Sequence, residues 1–351
     1  MATHVYAGAA HTIVNDPTRY RGGIFRRAVG DGDWTRLGGG LPDDAEVRAF
    51  AVHPREPRTV FAGTQHGPYR SDDGGDRWTP TGFPDRGMVV WSLAFDPRDP
   101  GVLYAGTAPE AVYRSTDGGA TWRRLPGLTA PRRVKMGFPT RVTRVAIDPA
   151  DPRQLYAGLE VDGVVRSLDG GETWEDCGHE LARLADRPHL KSRLISDTET
   201  EGMLDTHALC VSAARPGTVF LAVRMGVFRS ADRGKSWEDL EVGRFSPLTY
   251  ARDLVVSPHD PRTLYACLSP ASQSQDGSLW ESRDLGGTWR RLDHGVTARH
   301  TMMAVAAHPT DAAQLYCATR SQVFGTQDGG RSWHDYPLPP DVRAVYAVAC
   351  G

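Results

Sequence analysis

The chain has 351 residues, with 38 glycines, 25 prolines and a formal net charge of −2 at pH 7. That balance provides no global field for nucleic acid or an anionic membrane, and no apolar run reaches the roughly 18 residues needed to span a bilayer. The five cysteines are odd in number and lack C-x-x-C spacing. They read as buried free thiols of a reducing compartment, not as a disulfide framework.

From the start, Met1 to Tyr6 run straight into a strand pattern, His4-Val5-Tyr6-Ala7-Gly8. The expectation is a chain with no leader, hence cytoplasmic. Trp34 ends a worn octapeptide, and six fuller copies follow: Ser71 to Trp78, Ser115 to Trp122, Ser167 to Trp174, Ser230 to Trp237, Ser282 to Trp289 and Thr326 to Trp333. The pattern is Ser/Thr-x-Asp-x-Gly-x-Thr/Ser-Trp, with Arg77 in place of the hydroxyl residue in the first full copy. Steps between successive tryptophans are 44, 44, 52, 63, 52 and 44 residues. A period in this range, rich in turn residues, marks stacked units of about four short strands each.

One repeat shows how a unit is written. Val47-Arg48-Ala49-Phe50-Ala51-Val52 alternates as an inner strand, and His53-Pro54-Arg55-Glu56-Pro57 turns the chain. Thr59 to Thr64 is the second strand and Pro68 to Ser71 the third. The octapeptide then turns into an outer strand at Trp78. Its aspartate (Asp73, Asp117, Asp169, Asp232, Asp284 or Asp328) caps a tight turn, its glycine frees the backbone, and its tryptophan wedges between units. Equivalent acids on six units cannot all face one substrate, so these residues read as scaffold. The chain opens on a second strand and finishes on Val342-Arg343-Ala344-Val345-Tyr346-Ala347-Val348, an inner strand. The fold class expected is therefore all-β: a single seven-bladed β-propeller over residues 1–351, closed by pairing of its N- and C-terminal strands in one blade.

At these residues the chain resembles the Asp-box, or BNR, propellers: sialidases, xyloglucan-type glycoside hydrolases, sortilin-type domains and photosystem assembly factors. The resemblance covers nearly the whole chain. It implies that the boxes lie on one face, while loops on the opposite face around the pore hold any site. It says little about function, because the box serves enzymes and binders alike.

Aligning the inner strands by their following turn places Arg48, Trp91, Thr143, His207, Arg252, Met303 and Arg343 at the pore mouth. Arg48, Arg252 and Arg343 together form a candidate clamp for a carboxylate or phosphate. The bland alternative is that such arginines pair with acids on neighbouring loops, such as Glu46, Asp253 and Glu160. The largest departure from the repeat is an insertion at 175–206, expected to fold over the pore face. It begins with a short helical stretch from His179, passes Lys191 and Arg193, and ends in the acidic run from Asp197 through Glu199, Glu201 and Asp205 into His207. This run makes His207, Glu201 and Asp205 candidate catalytic residues, and the sialidase resemblance adds Tyr250, which precedes Arg252, to the set. Trp91, Glu160, Lys191 and Arg141 join the clamp as candidate ligand-binding residues. His11, His66, His207 and His300 come from four blades and form a candidate divalent-metal set only if they meet across the pore.

Three functions fit. The first is a pocket for a small anionic ligand, a carboxylate or sugar acid, with glycosidase-like hydrolysis. In the sialidase form implied by the resemblance, three arginines hold the carboxylate and Tyr250 supplies the phenol. The Phe/Tyr-Arg-Ile-Pro segment of sialidases is absent, since Ile24-Phe25-Arg26-Arg27 matches it poorly. The second is a non-catalytic scaffold that docks a protein partner. The third is a metal-dependent lactonase- or lyase-like propeller. No nucleic acid or membrane partner is expected.

Overall fold

The computed structural model describes residues 3–11, 22–30, 32–191 and 200–351. Seven four-stranded antiparallel sheets form, one for each tryptophan repeat. The chain is a seven-bladed β-propeller. Blade 1 takes His4–Ala9, Gly23–Ala28 and Thr35–Leu37 from the start of the chain and its inner strand, Val345–Cys350, from the end. These pair antiparallel, with Val5 opposite Cys350 and Ala7 opposite Val348. Blade 2 is typical: Val47–Val52, Val60–Thr64, Gly67–Ser71 and a two-residue outer strand Thr79–Pro80.

Hydrophobic burial is divided among seven clusters, each joining two adjacent blades. The boxes build the seams. In blade 3 the Ser115 hydroxyl donates to Asp117 Oδ1 (2.8 Å) and accepts from the Gly119 N–H (2.9 Å). Asp117 also accepts from the backbone N–H and hydroxyl of Thr121. Gly119 has φ +86°, and a Cβ there would lie 2.4 Å from the Phe61 ring of blade 2. Glycine is thus required both by conformation and by close approach to the previous blade. The tryptophans bridge the same seams: the Trp237 indole donates to the Cys177 carbonyl and Trp333 to that of Leu292. All five cysteines are free thiols.

The insertion is mostly wall. Its helix Gly178–Arg183 and the short helix Thr200–Leu204 bury Leu181, Ala185, Leu190, Met203 and Leu204 in the cluster shared by blades 4 and 5. Apolar spacing within a charged sequence accounts for this: Leu181, Ala185 and Leu190 face inward and the charges outward. Arg193, Asp197 and Glu199 lie outside the described residues.

Candidate functional site

Every inner strand carries a register shift near its start. The shifts fall between Val47 and Ala49, Val90 and Ser92, Val142 and Arg144, Thr206 and Ala208, Ala251 and Asp253, and Met302 and Ala304. In blade 1, Gly8 pairs with Ala347 and Ala9 with Val345, which skips Tyr346. A bulge leaves its extra residue out of the ladder and re-aims the side chain. The seven skipped residues are Arg48, Trp91, Thr143, His207, Arg252, Met303 and Tyr346, and all seven line a cavity of about 320 Å³ on the propeller axis.

Six of these match the pore positions read from sequence. The seventh corrects it: Arg343 is exposed, precedes the strand and, among the described residues, donates only to the Pro340 carbonyl. Val342-Arg343-Ala344 resembles Val47-Arg48-Ala49, but the chain ends without the turn that anchors the other alignments. The strand that forms starts three residues later, at Val345.

The second-to-third-strand loops supply the rest of the wall. Glu160, Arg224 and Arg320 each directly follow a second strand, and all three line the cavity. Arg224 and Arg320 escaped the sequence reading. Their signal was positional, the place held by Glu160 after Leu159.

On one side, charge and aromatic rings alternate. The Arg141 guanidinium sits 4.3 Å from the Phe138 ring centre and 4.5 Å from that of Trp91. Arg48 lies over Trp91 at 4.9 Å and over Tyr346 at 6.0 Å. These cation–π contacts hold the guanidiniums without removing their charge. Arg48 also pairs with Glu46, and Arg141 with Glu160 (3.0 Å).

Opposite them lies a buried polar set. Arg224 donates through Nε to Asp205 Oδ2 and through Nη1 to Glu201 Oε1, each at 2.6 Å. Glu201 is fully buried and absent from the cavity lining. It therefore braces Arg224 from behind and does not reach a ligand, contrary to the catalytic place expected for it. His207 Nδ1 donates to the Ala251 carbonyl (2.7 Å), which directs Nε2 toward Tyr250 Oη and Asp205 Oδ2, each at 3.3 Å.

Electrostatics separates the two acids. Burial, reinforced by the charge of Asp205, pushes the Glu160 carboxyl up to about 7, with Arg141, Arg252 and Arg224 opposing. Burial would raise Asp205 too, but His207 and Arg224 overcome it and hold that carboxyl below its usual range. His207 is lowered by burial, against the pull of Asp205. Burial raises the Tyr250 phenol to about 12.

Among the described residues, six arginines line the cavity (Arg48, Arg141, Arg144, Arg224, Arg252 and Arg320) against three carboxylates, Glu160, Asp205 and Asp253. Arg144 pairs with Asp253 (2.5 Å). Arg252 makes no hydrogen bond or ion pair among the described residues, yet neighbouring Tyr250, Tyr346, Asp205 and Glu160 keep it charged against the cost of burial. Arg48 Nη1, Arg320 Nε and Asp205 Oδ1 are buried without a hydrogen-bond partner. Such groups are costly unless something else satisfies them.

The four histidines do not meet. His11 pairs with Glu46 (2.8 Å), His66 with Asp44 (3.1 Å), and His300 Nδ1 with Ser321 Oγ (2.9 Å). Of the four, His207 alone lines the axial cavity. Among the described residues, no group of three or more His, Cys, Asp or Glu side chains is placed to hold a metal ion. Lys191 lines a different cavity, between blades 5 and 6.

The comparisons with known proteins agree with this architecture. A family model, the BNR/Asp-box repeat, matches residues 113–124, which contain the blade 3 box. A xyloglucanase of Hypocrea jecorina is 25% identical over 287 residues, covering 73% of this chain and 33% of that protein. The chain spans about a third of the length of the curated relatives it matches. Among solved structures, the GH74 xyloglucanase from Xanthomonas campestris aligns with TM-score 0.62 and 22% identity over 85% of this chain and 46% of that one. YCF48 from Cyanidioschyzon merolae aligns with TM-score 0.57 and 16% identity over 90% of each chain. The chain is a seven-bladed β-propeller assembled from Asp-box (BNR) repeats.

Proposed function

We propose that the axial cavity binds a sugar acid through Arg252 and acts on it as a glycosidase-like hydrolase. The xyloglucanase relatives support the reaction class. The arginine-rich wall favours an anionic sugar over a neutral one. Arg252 carries the reading: a half-buried guanidinium that lines the cavity without a protein partner among the described residues is a ready seat for a carboxylate, and Arg48 Nη1 and Arg320 Nε are unsatisfied in the same lining.

The chemistry follows from the separated acids. Glu160 holds its proton near neutral pH and delivers it to the glycosidic oxygen as the C–O bond breaks. Asp205, ionised, presents its unpartnered Oδ1 to a water molecule and takes the proton as that water bonds to the anomeric carbon. His207 and Arg224 orient Asp205, and Tyr250 orients His207. Proton exchange with solvent then restores both acids.

The test is calorimetric titration of galacturonic, glucuronic and N-acetylneuraminic acids against wild type and Arg252→Met. Binding of at least one acid that the variant loses is the expected result. Equal binding by the variant, or no binding of any sugar acid, overturns the reading.

A further inference from the structure

The axial cavity has a neighbour. A second cavity of about 480 Å³ lies between blades 5 and 6, and Arg224, Tyr250 and Ser272 line both. One side of it is the stretch from Asp239 to Arg244, whose short helix Val242–Arg244 caps the link to blade 6. Leu190 and Lys191 of the insertion, and Pro270 and Ala271, line it as well. The surface changes character along its length. Apolar Leu190, Met225, Val242 and Pro270 are interspersed with polar Thr249 and Ser272, and the charges are mixed: Arg244 pairs with Glu241 (3.2 Å), His189 with Asp239 (2.8 Å), and Lys191 stands beside them.

We infer that the two cavities are one cleft for an acidic oligosaccharide, in which the lateral cavity takes the sugar units next to the one seated at Arg252. This rests on the sugar-acid reading above and extends it. Three observations support it. The shared residues make the spaces neighbours. The lateral lining mixes apolar patches with hydroxyls, as suits the faces and edges of sugar rings. Lys191 gives a further carboxylate on the same chain an attractive charge, since Arg244 is already paired with Glu241. Arg224 sits where the spaces join, held by Asp205 and Glu201, so it is a rigid divider and not a mobile gate.

The cleft can be blocked without touching the axial residues. Ala271 is an exposed loop residue, and a Cβ at Gly243 would meet only Thr249 Cγ2, at 3.5 Å. Ala271→Trp and Gly243→Tyr therefore fill the lateral cavity from two separate segments of its lining. The probes are galacturonic acid and its trimer, titrated calorimetrically against the full chain. The expected result is that wild type binds the trimer about tenfold or more tighter than the monomer, one decade being about 1.4 kcal/mol. Both blocked variants should lose that gain and keep monomer affinity. Equal affinity for monomer and trimer, with monomer binding still dependent on Arg252, overturns this inference alone. Trimer binding unaffected by either blocking variant also overturns it. Failure of wild type to bind either probe overturns it together with the sugar-acid reading. A short peptide with a free C-terminal carboxylate that outcompetes the trimer assigns the cleft to a protein terminus and likewise overturns it.

Discussion

At the residue scale, the site depends on a few groups whose environments set their state. Arg252→Met is expected to weaken sugar-acid binding by about 1.5–3 kcal/mol, the usual worth of a hydrogen bond to a charged group, with little change in Tm. Calorimetric titration beside a thermal melt checks both halves. Arg224 behaves differently, because its removal breaks its ion pairs to two buried carboxylates, Glu201 and Asp205. Arg224→Leu should cost about 3–5 kcal/mol of stability, read by urea denaturation. Turnover should follow the two acids. It rises as Asp205 ionises, below the usual carboxylate range, and falls as pH climbs through about 7 and Glu160 loses its proton. Glu160→Gln should flatten that alkaline limb in a pH profile of kcat/KM, and a limb unchanged by the substitution would remove Glu160 as the acid. Much of this site was legible beforehand. His207, Arg252, Asp205 and Glu160 were reachable because repeated turns index the inner strands and the loops are short. Arg343 misled because its local tripeptide copies blade 2 while no downstream turn fixes its register. Arg224 and Arg320 went unread because their role depends on which side of the pore their loop faces, which periodicity does not encode.

At the element scale, the box is the repeating joint. Its aspartates accept several hydrogen bonds and so hold carboxyls low, that of Asp117 to about 2 through Thr121 and Ser115. A depressed carboxyl adds stability that is present above its unfolded value, roughly 3.9, and lost as pH falls toward its folded value. Acid melts should therefore show Tm falling between about pH 4 and 2. In the first full box Arg77 lacks the side-chain hydroxyl that Thr121 donates in blade 3. Asp117→Ala should accordingly lower Tm more than Asp73→Ala, and the reverse order would show that the hydroxyl bond adds nothing. The insertion shows what composition hides. Its charge density suggested a loop over the pore, yet Leu181, Leu190 and Met203 are buried and pin it to the flank of blades 4 and 5.

For the whole molecule, the ring is closed by a strand from the far end of the chain. Val345–Cys350 pairs with His4–Ala9 and packs in the seams on both sides. Removing residues 345–351 would leave blade 1 without its inner strand and both flanking seams open. Loss of the cooperative melt, or recovery only as aggregate, is the expected outcome, and a truncated chain with a normal melt would show that three strands suffice. The tryptophan period made blade number legible, because a repeated wedge must serve a repeated seam. The inner-strand bulge was invisible, since these short and largely apolar segments read as strands with or without the one-residue shift.

That bulge has a consequence for orientation. A sevenfold scaffold is nearly indifferent to rotation about its axis, and a guest at its centre would have many equivalent poses. The bulged residues abolish that freedom in a single layer: arginine, tryptophan and tyrosine from blades 2, 3 and 1 occupy one arc, and histidine and arginine from blades 5 and 6 the other. Because these positions lie outside the hydrogen-bonded ladders, each can be exchanged without disturbing strand pairing. The ring works as a compass dial, fixed in its frame, whose seven marks alone decide which way a captured molecule points.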